Sequence, residues 1–208
     1  MKTVITIGRR FGTGGHEIGE KLASHYGIKC YDREIISRAA KDSGLCEEIL
    51  EHHDERPTSS FLYNLVMDAY SFGNHTGAFV DMPISHKVFI AQFDAIKQLA
   101  EEGPCIIVGR CADYALAERK NLLRLFIDAD MDCRVKRICE KYDLPEGKAR
   151  ERISRTDKER SSYYNYYSTS KWGHASTYDL CINSSRLGID GTVKVLTEFI
   201  DAFDATLE

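Results

Sequence analysis

The residues best suited to chemistry lie near the start of the chain, in the segment GRRFGTGGHEIG from Gly8 to Gly19. An apolar run from Val4 to Ile7 leads into this segment. Glycines let the backbone turn its N–H groups toward an anion, and the N-terminus of a following helix adds a partial positive charge. The pattern therefore predicts a phosphate-binding loop. Its four central residues are Gly12, Thr13, Gly14 and Gly15.

This loop does not meet the P-loop consensus G-x-x-x-x-G-K-[ST]. When Gly14 is aligned with the second consensus glycine, Gly15 replaces the lysine and His16 replaces the hydroxyl residue that holds Mg²⁺. His16 would either donate to a phosphate or merely face solvent, and the sequence leaves both interpretations open. The negative charge of Glu17 suits a helix cap better than a bound phosphate. Both residues are candidates for the nucleotide site because they begin the helix.

Polar side chains follow other predicted strands at the points where those strands end. Asp32 comes directly after an apolar segment, and Arg110 follows another. Ligands of open parallel α/β sheets bind beyond the carboxyl ends of the strands, so we expect these residues, the glycine loop and the turn after Asn183 to surround one crevice. Arginines suit phosphates, and a carboxylate suits a hydroxyl, an amine or Mg²⁺. The combination predicts a nucleotide site.

A third candidate is the arginine-rich stretch over residues 144–176, which contains Arg155, Asp157 and Arg160. Most charged runs of this kind are solvated helix faces. In a chain that already has a phosphate loop, a mobile lid that brings arginines over transferring phosphates would need this composition, and we favour the lid. Four tyrosines in this stretch are expected to anchor the lid by packing rather than to stack on a base. They are Tyr163, Tyr164, Tyr166 and Tyr167.

A parallel sheet is needed to position these candidates. The first apolar run, the glycine loop, a helix over residues 16–26 and a strand over residues 28–31 form a predicted βαβ unit. Continuous apolar runs predict further strands that are covered on both faces, at residues 105–108, 123–127 and 179–183. Helical periodicity marks residues 84–100, 131–142 and 191–203. The middle of the chain, from about residue 34 to 99, is helical in character, with an aromatic-rich run at 61–72 and a loop at 71–83.

The composition excludes several classes of protein. The 208 residues are 43% hydrophobic and 29% charged, as in an ordinary globular domain. The absence of a long apolar run and of an N-terminal leader predicts a cytoplasmic protein that does not bind membranes. A net charge of −4 argues against a nucleic acid polymer as partner. Seven cysteines without a C-x-x-C pair predict reduced thiols and no metal site, and a homodimer is compatible with the sequence.

The chain resembles the cytidylate kinase-like proteins, a branch of the P-loop nucleoside monophosphate kinases. Five blocks in the same order carry the resemblance: ITIGRRFGTGGHEIG, YDREII, IIVGRCAD, LFIDAD and the RxxRTDxxR-YY-WG-YDLCINSS series. The resemblance implies a single P-loop NTP hydrolase-like domain over residues 1–208, a three-layer α/β/α fold with a five-stranded parallel sheet. It also implies a helical insert that binds the nucleoside monophosphate, at about residues 34–100, and an arginine-rich lid at about residues 144–176.

The same resemblance implies ATP and Mg²⁺ as cofactors and transfer of the γ-phosphoryl group to CMP or dCMP. The glycine loop would hold the phosphates of ATP. Asp32 would lie close to the acceptor nucleotide, and Arg110 would grip the acceptor phosphate, although Cys111 replaces the aspartate of the family's G-R-D block. Ser184 lies in the turn that would flank adenine.

In the lid, the resemblance assigns catalytic roles to Arg155, Asp157 and Arg160. The first two match the family's R-D pair, with Thr156 between them, and Arg160 matches the second lid arginine. These residues and Arg110 would neutralise charge during phosphoryl transfer.

The missing lysine leaves more than one function open. Its loss from an ordinary kinase would cost about 2.7–4 kcal/mol of barrier, or roughly 10²–10³-fold in rate. Arg9, Arg10 or a lid arginine would have to replace it. The leading hypothesis is phosphoryl transfer to a nucleoside monophosphate. The alternatives are a nucleotide-binding protein without turnover, acting as a sensor or partner, and a kinase for another small phosphate acceptor.

Overall fold

Five parallel strands form the centre of the protein. The computed structural model describes residues 1–44, 46–55 and 84–207. Its sheet has the strand order β2-β3-β1-β4-β5, and every neighbouring pair is parallel. The five-stranded parallel sheet is therefore confirmed. The strands are β1 (Val4–Arg9), β2 (Lys29–Tyr31), β3 (Cys105–Val108), β4 (Leu122–Asp128) and β5 (Leu180–Asn183).

Strand β1 lies in the middle of the sheet, with β3 on one side and β4 on the other. Ile5 is opposite Ile106 in β3 and opposite Leu123 in β4. Because all strands are parallel, their carboxyl ends meet at one edge of the sheet. This edge is where the glycine loop, Asp32 and Arg110 follow their strands.

Helices surround the sheet within the described residues. They are α1 (Gly15–Tyr26), α2 (Glu34–Ser43), α3 (Glu47–His53), α4 (Ile84–Glu101), α5 (Ala112–Ala115), α6 (Met131–Tyr142), α7 (Glu146–Tyr167) and α8 (Gly188–Asp204), with a short 3₁₀ turn at Ala175–Thr177. Helix α1 ends at Gly27, whose left-handed backbone accommodates the stop that the sequence predicts. Helix α8 begins three residues earlier than expected, and within its first turn Thr192 donates a hydrogen bond to the carbonyl of Gly188 (2.6 Å).

Two apolar clusters cover opposite faces of the sheet and give the fold its three layers. On one face, Ile7 and Leu125 pack with Leu22 of α1 and Leu196 of α8. On the other face, buried residues of α2, α3 and α4 pack against β3 and the start of β1. Strands that are covered on both faces explain the continuous apolar runs in the sequence.

The arginine-rich stretch forms one continuous helix of 22 residues, α7. Its last turns are held against α4 by aromatic packing, with the rings of Tyr167 and Phe89 stacked at a centroid distance of 3.8 Å. Tyr163 donates a hydrogen bond to Gln92 (3.1 Å), and Tyr164 donates one to Asp113 (2.6 Å). These tyrosines therefore anchor the helix, as the sequence analysis predicts.

Several predicted features fall partly or wholly beyond the part of the chain that the structure describes. The aromatic-rich run at 61–72 and the loop at 71–83 lie outside the described residues. The described parts of the predicted insert, residues 34–44, 46–55 and 84–100, are mainly helical. None of the helices in the described ranges is both long and apolar enough to cross a membrane.

Candidate functional site

The glycine loop joins β1 to α1 and leaves the start of that helix uncapped. Gly12 and Gly14 both have φ of +82°, a left-handed conformation that glycine adopts without strain. No side chain of the described residues caps α1 at Gly14. The first N–H groups of a helix have no partner within the helix, so those of α1 can receive an anion.

Buried contacts brace this loop on two sides. Asp157 of α7 accepts a hydrogen bond from the N–H of Phe11 (2.8 Å) and pairs with Arg134 of α6, which in turn donates to the carbonyl of Phe11 (2.7 Å). On the other side, Ser184 donates to the carbonyl of Thr13 (2.8 Å). The loop is thus held in place by side chains from three other elements.

These contacts give Asp157 and Ser184 structural tasks that the sequence did not indicate. Asp157 positions the residue before the glycines, and Arg134, whose side chain is 4% exposed, is its buried partner. Ser184 is buried, and its hydroxyl contacts the loop. A direct contact of either residue with a nucleotide stays a prediction.

Next to the loop lies a buried cluster of arginines and carboxylates, which we call the arginine cluster. Arg110 forms a bidentate pair with Asp54, through Nε (2.8 Å) and Nη2 (2.7 Å), and its Nη1 contacts Asp32 at 2.7 Å. The Arg110 side chain is only 2% exposed. Bidentate, charge-assisted hydrogen bonds of this kind are strong and fix the guanidinium plane. The members of the cluster are Arg9, Arg110, Arg160, Asp32, Asp54 and Glu55.

Glu55 is the centre of this cluster. Its carboxylate accepts hydrogen bonds from Arg9 Nη1 (2.6 Å), from the backbone N–H of Arg110 (2.9 Å) and from Arg160 Nε (3.1 Å). Burial alone would raise the pKa of Glu55, but the charges of Arg9 and Arg160 outweigh burial and hold that pKa far below its usual range. Glu55 is therefore ionised at neutral pH, whereas burial raises the pKa of Asp54 despite the charge of Arg110. The cluster contains three arginines and three carboxyl groups.

Asp32 connects the arginine cluster to the start of α1. Burial would raise its pKa, yet Arg9 and Arg110 lower that pKa below its usual value. The other carboxylate oxygen lies 3.0 Å from Nδ1 of His16, whose Nε2 is 3.3 Å from Glu20. His16 is exposed and contacts Asp32, and Glu17 is exposed as well. A role for either in nucleotide binding stays a prediction.

An open cleft of about 610 Å³ runs beside the arginine cluster, between α7 and the described part of the predicted insert. Arg155 is exposed and lines this cleft, together with Arg33 and Arg152. The structure does not bring Arg155 into the buried cluster. Arg160, about one and a half turns further along α7, does belong to it. The cleft is large enough to admit a nucleotide-sized ligand.

Sequence reasoning missed Asp54 and Glu55, and it named Arg9 only as one of several arginines that would have to replace the lysine. The acidic run EEILEHHDERP has the composition of an exposed helix, but Asp54 and Glu55 follow the end of α3 and turn inward. The structure extends the first strand to Arg9, which places this arginine at the carboxyl edge of the sheet. The described residues include no group of three or more metal-ligating side chains.

Comparisons with known proteins agree with this architecture. The profile of the cytidylate kinase-like family matches residues 4–186. A cytidylate kinase of Methanopyrus kandleri is 25% identical over 211 residues, which cover 97% of this chain and 94% of the relative. A cytidylate kinase of Pyrococcus horikoshii is 25% identical over 205 residues, which cover 98% of this chain and 91% of the relative.

Solved structures share the fold as well. The crystal structure of an uncharacterized protein from Eubacterium ventriosum is 30% identical, with a TM-score of 0.72 over 96% of this chain and 99% of that one. Shikimate kinase from Bacteroides thetaiotaomicron has a TM-score of 0.54 at 11% identity, over 97% of this chain and 99% of that one, and shows a likeness of fold alone. The family profile spans most of the residues, and the parallel sheet with its glycine loop is the one that the five sequence blocks imply. The chain therefore belongs to the cytidylate kinase-like family.

Proposed function

We propose that this protein transfers a phosphoryl group from ATP to a nucleoside monophosphate in the presence of Mg²⁺, with CMP or dCMP as the first choice of acceptor. The observation that carries the proposal is the arginine cluster directly beside an uncapped glycine loop. Phosphoryl transfer needs little covalent chemistry from the protein, because catalysis consists mainly of positioning and charge neutralisation. The names of the archaeal relatives support CMP as the acceptor.

The residues of the loop suit a bound nucleoside triphosphate. The backbone N–H groups over residues 12–16 would hold its phosphates, and Asp128, at the end of β4 beside β1, offers the carboxylate oxygens that Mg²⁺ prefers. A magnesium ion that binds through phosphates needs only one or two protein carboxylates, which agrees with the lack of a larger ligand group among the described residues. ATP would supply the transferable γ-phosphoryl group.

Glu55 marks where the acceptor phosphate would bind. Its carboxylate takes hydrogen bonds from two guanidinium groups and one backbone N–H, the same kinds of donor that a phosphate requires. The acceptor phosphate would therefore exchange with Glu55, and an anion would remain paired with the arginines. Arg110 would stay fixed by Asp54 throughout this exchange.

A second candidate function rests on the charge balance of the cluster. Three arginines already face three carboxylates, so a phosphate dianion meets a neutral site unless Glu55 leaves it. A protein in which Glu55 never leaves would bind nucleotides without turnover, or would phosphorylate a small acceptor of lower charge.

A coupled assay with ATP, Mg²⁺ and each nucleoside monophosphate tests the proposal. We expect turnover with CMP or dCMP, and the absence of turnover with every acceptor while nucleotide binding is intact would refute it. In the same assay, Arg110→Ala should abolish acceptor phosphorylation and leave ATP binding nearly unchanged, because the proposal assigns Arg110 to the acceptor and not to ATP. An equal loss of both would place this arginine at the ATP site instead.

A further inference from the structure

The glycine at position 15, where P-loops carry lysine, is not required by its own backbone. Gly12 and Gly14 have left-handed φ angles, but Gly15 does not, and it is the first residue of helix α1. Any L-amino acid can adopt a helical backbone, so conformation leaves the choice of glycine here unexplained. The space around position 15 explains the glycine instead.

That space is filled by Arg9. A Cβ atom on Gly15 would lie 2.8 Å from the Cβ of Arg9 and 3.1 Å from its Cγ, which is closer than side-chain atoms tolerate. The nearest other heavy atom, Oγ1 of Thr13, would be 3.5 Å away and in ordinary contact. A side chain at position 15, lysine included, therefore clashes with the first carbons of the Arg9 side chain unless the backbone shifts.

The side chain of Arg9 runs from this position to the boundary between the loop and the arginine cluster. It is 9% exposed, its Nη1 contacts Glu55 at 2.6 Å, and its Nη2 lies 4.0 Å from Asp32. The guanidinium also packs against Gly109, beside Arg110. A phosphoryl group that moves from the loop to the acceptor would pass this point.

We propose that Arg9 supplies the cation that P-loop kinases take from the lysine at position 15, by contacting the β- and γ-phosphates of a bound nucleoside triphosphate. The inference deepens the proposed function, since it assumes that the glycine loop holds a triphosphate. Arg9 would exchange Glu55 for phosphate oxygens when the triphosphate binds, with or without an acceptor. A guanidinium suits this task because it stays charged and donates two parallel hydrogen bonds to phosphate.

Calorimetric binding of inorganic tripolyphosphate and of ATP to the full chain tests this role without relying on turnover. We expect Arg9→Ala to weaken both by about 10- to 100-fold, the loss typical of charge-assisted hydrogen bonds. Gly15→Lys alone should lower the melting temperature, because the new side chain clashes with Arg9. The double variant Arg9→Gly/Gly15→Lys should regain most of the lost tripolyphosphate affinity, because glycine at position 9 has no Cβ to clash with the new side chain and the lysine restores the cation.

Three further variants control for misfolding and for non-specific effects. Glu55→Gln and Arg9→Met/Glu55→Gln differ only at Arg9, so their comparison remains valid even if Arg9→Ala fails to fold. Arg38→Met, which removes an arginine ion-paired on the surface of α2, should leave tripolyphosphate affinity unchanged. The inference would be overturned if removing Arg9 changed tripolyphosphate affinity by less than about threefold both in the parent protein and in the Glu55→Gln background. A double variant that regains nothing would overturn it as well.

The outcomes separate this inference from the proposed function. Arg9-dependent binding of tripolyphosphate without turnover of any acceptor would refute the kinase and support the role of Arg9. Turnover of CMP that survives in Arg9→Ala within a few-fold would support the kinase and refute the role of Arg9. Where the protein is active, we expect Arg9→Ala to lower kcat by roughly 10²–10³-fold and the double variant to recover much of it.

Discussion

Replacing Glu55 by glutamine removes one negative charge from the arginine cluster and keeps the shape of the side chain. Three donors point at the carboxylate, two of them guanidinium groups at 2.6 and 3.1 Å. The glutamine amide can accept from some of these donors, but its NH₂ group would face an arginine. The variant therefore leaves three arginines opposite two carboxylates in a buried site.

The expected loss in free energy of unfolding follows from the burial of the Glu55 charge. Removing one partner of a buried ion pair typically costs about 3–5 kcal/mol, a large part of the roughly 5–15 kcal/mol that stabilises a folded domain. For a chain of this size each kcal/mol lowers the melting temperature by about 2–4 °C, so we expect a drop of roughly 6–20 °C. The matched control is Glu51→Gln in the exposed part of α3, which should change stability by less than about 0.5 kcal/mol.

Thermal unfolding with and without inorganic phosphate then tests whether the missing negative charge causes the loss of stability in Glu55→Gln. An anion that replaces the missing carboxylate stabilises the folded state by about 2.7 kcal/mol at a hundredfold excess over its dissociation constant. We expect phosphate to stabilise Glu55→Gln more than the parent protein, because in the parent it must first displace Glu55. A variant as stable as the parent, or one that gains no more from phosphate than the parent does, would refute the reasoning.

Three further predictions concern the pH dependence of stability and the contacts that hold the loop and helix α7 in place. Because the folded-state pKa values of Glu55 and Asp32 are depressed, their contribution to stability is present above the unfolded carboxyl pKa of about 4 and is lost as the pH falls below it. In urea unfolding between pH 4 and 2.5, Glu55→Gln should reduce the slope of stability against pH by up to about 1.4 kcal/mol per unit, and an unchanged slope would contradict this. Asp157→Asn should destabilise the fold by about 3–5 kcal/mol in the same assay at neutral pH, because it leaves Arg134 buried without its ion pair; a loss below 1 kcal/mol would show that the pair does not hold the loop. Tyr164→Phe should cost about 1–3 kcal/mol, since it removes the hydroxyl that donates to Asp113, and a gain in stability would argue against this anchor.

The sheet was largely predictable because each of its strands coincides with a short apolar run in the sequence. The strand at residues 105–108 and the helix at 131–142 have the bounds that the sequence indicates, since a turn residue or a change of period marks each end. Asp32 and Arg110 were expected to share one crevice, and their side chains meet at 2.7 Å. Parallel strands bring their carboxyl ends to one edge, so residues far apart in sequence could be paired by topology alone.

The sequence by itself determined the fold class, the position of the glycine loop and the residues at the strand ends, because these depend on local pattern and on the geometry of parallel sheets. Only the tertiary structure decided that Glu55 from an acidic run enters the arginine cluster and that Arg9 fills the space beside Gly15. Both facts depend on distances between segments that no periodicity encodes. A charged residue looks the same in a sequence whether it faces water or three buried cations, and only packing distinguishes the two.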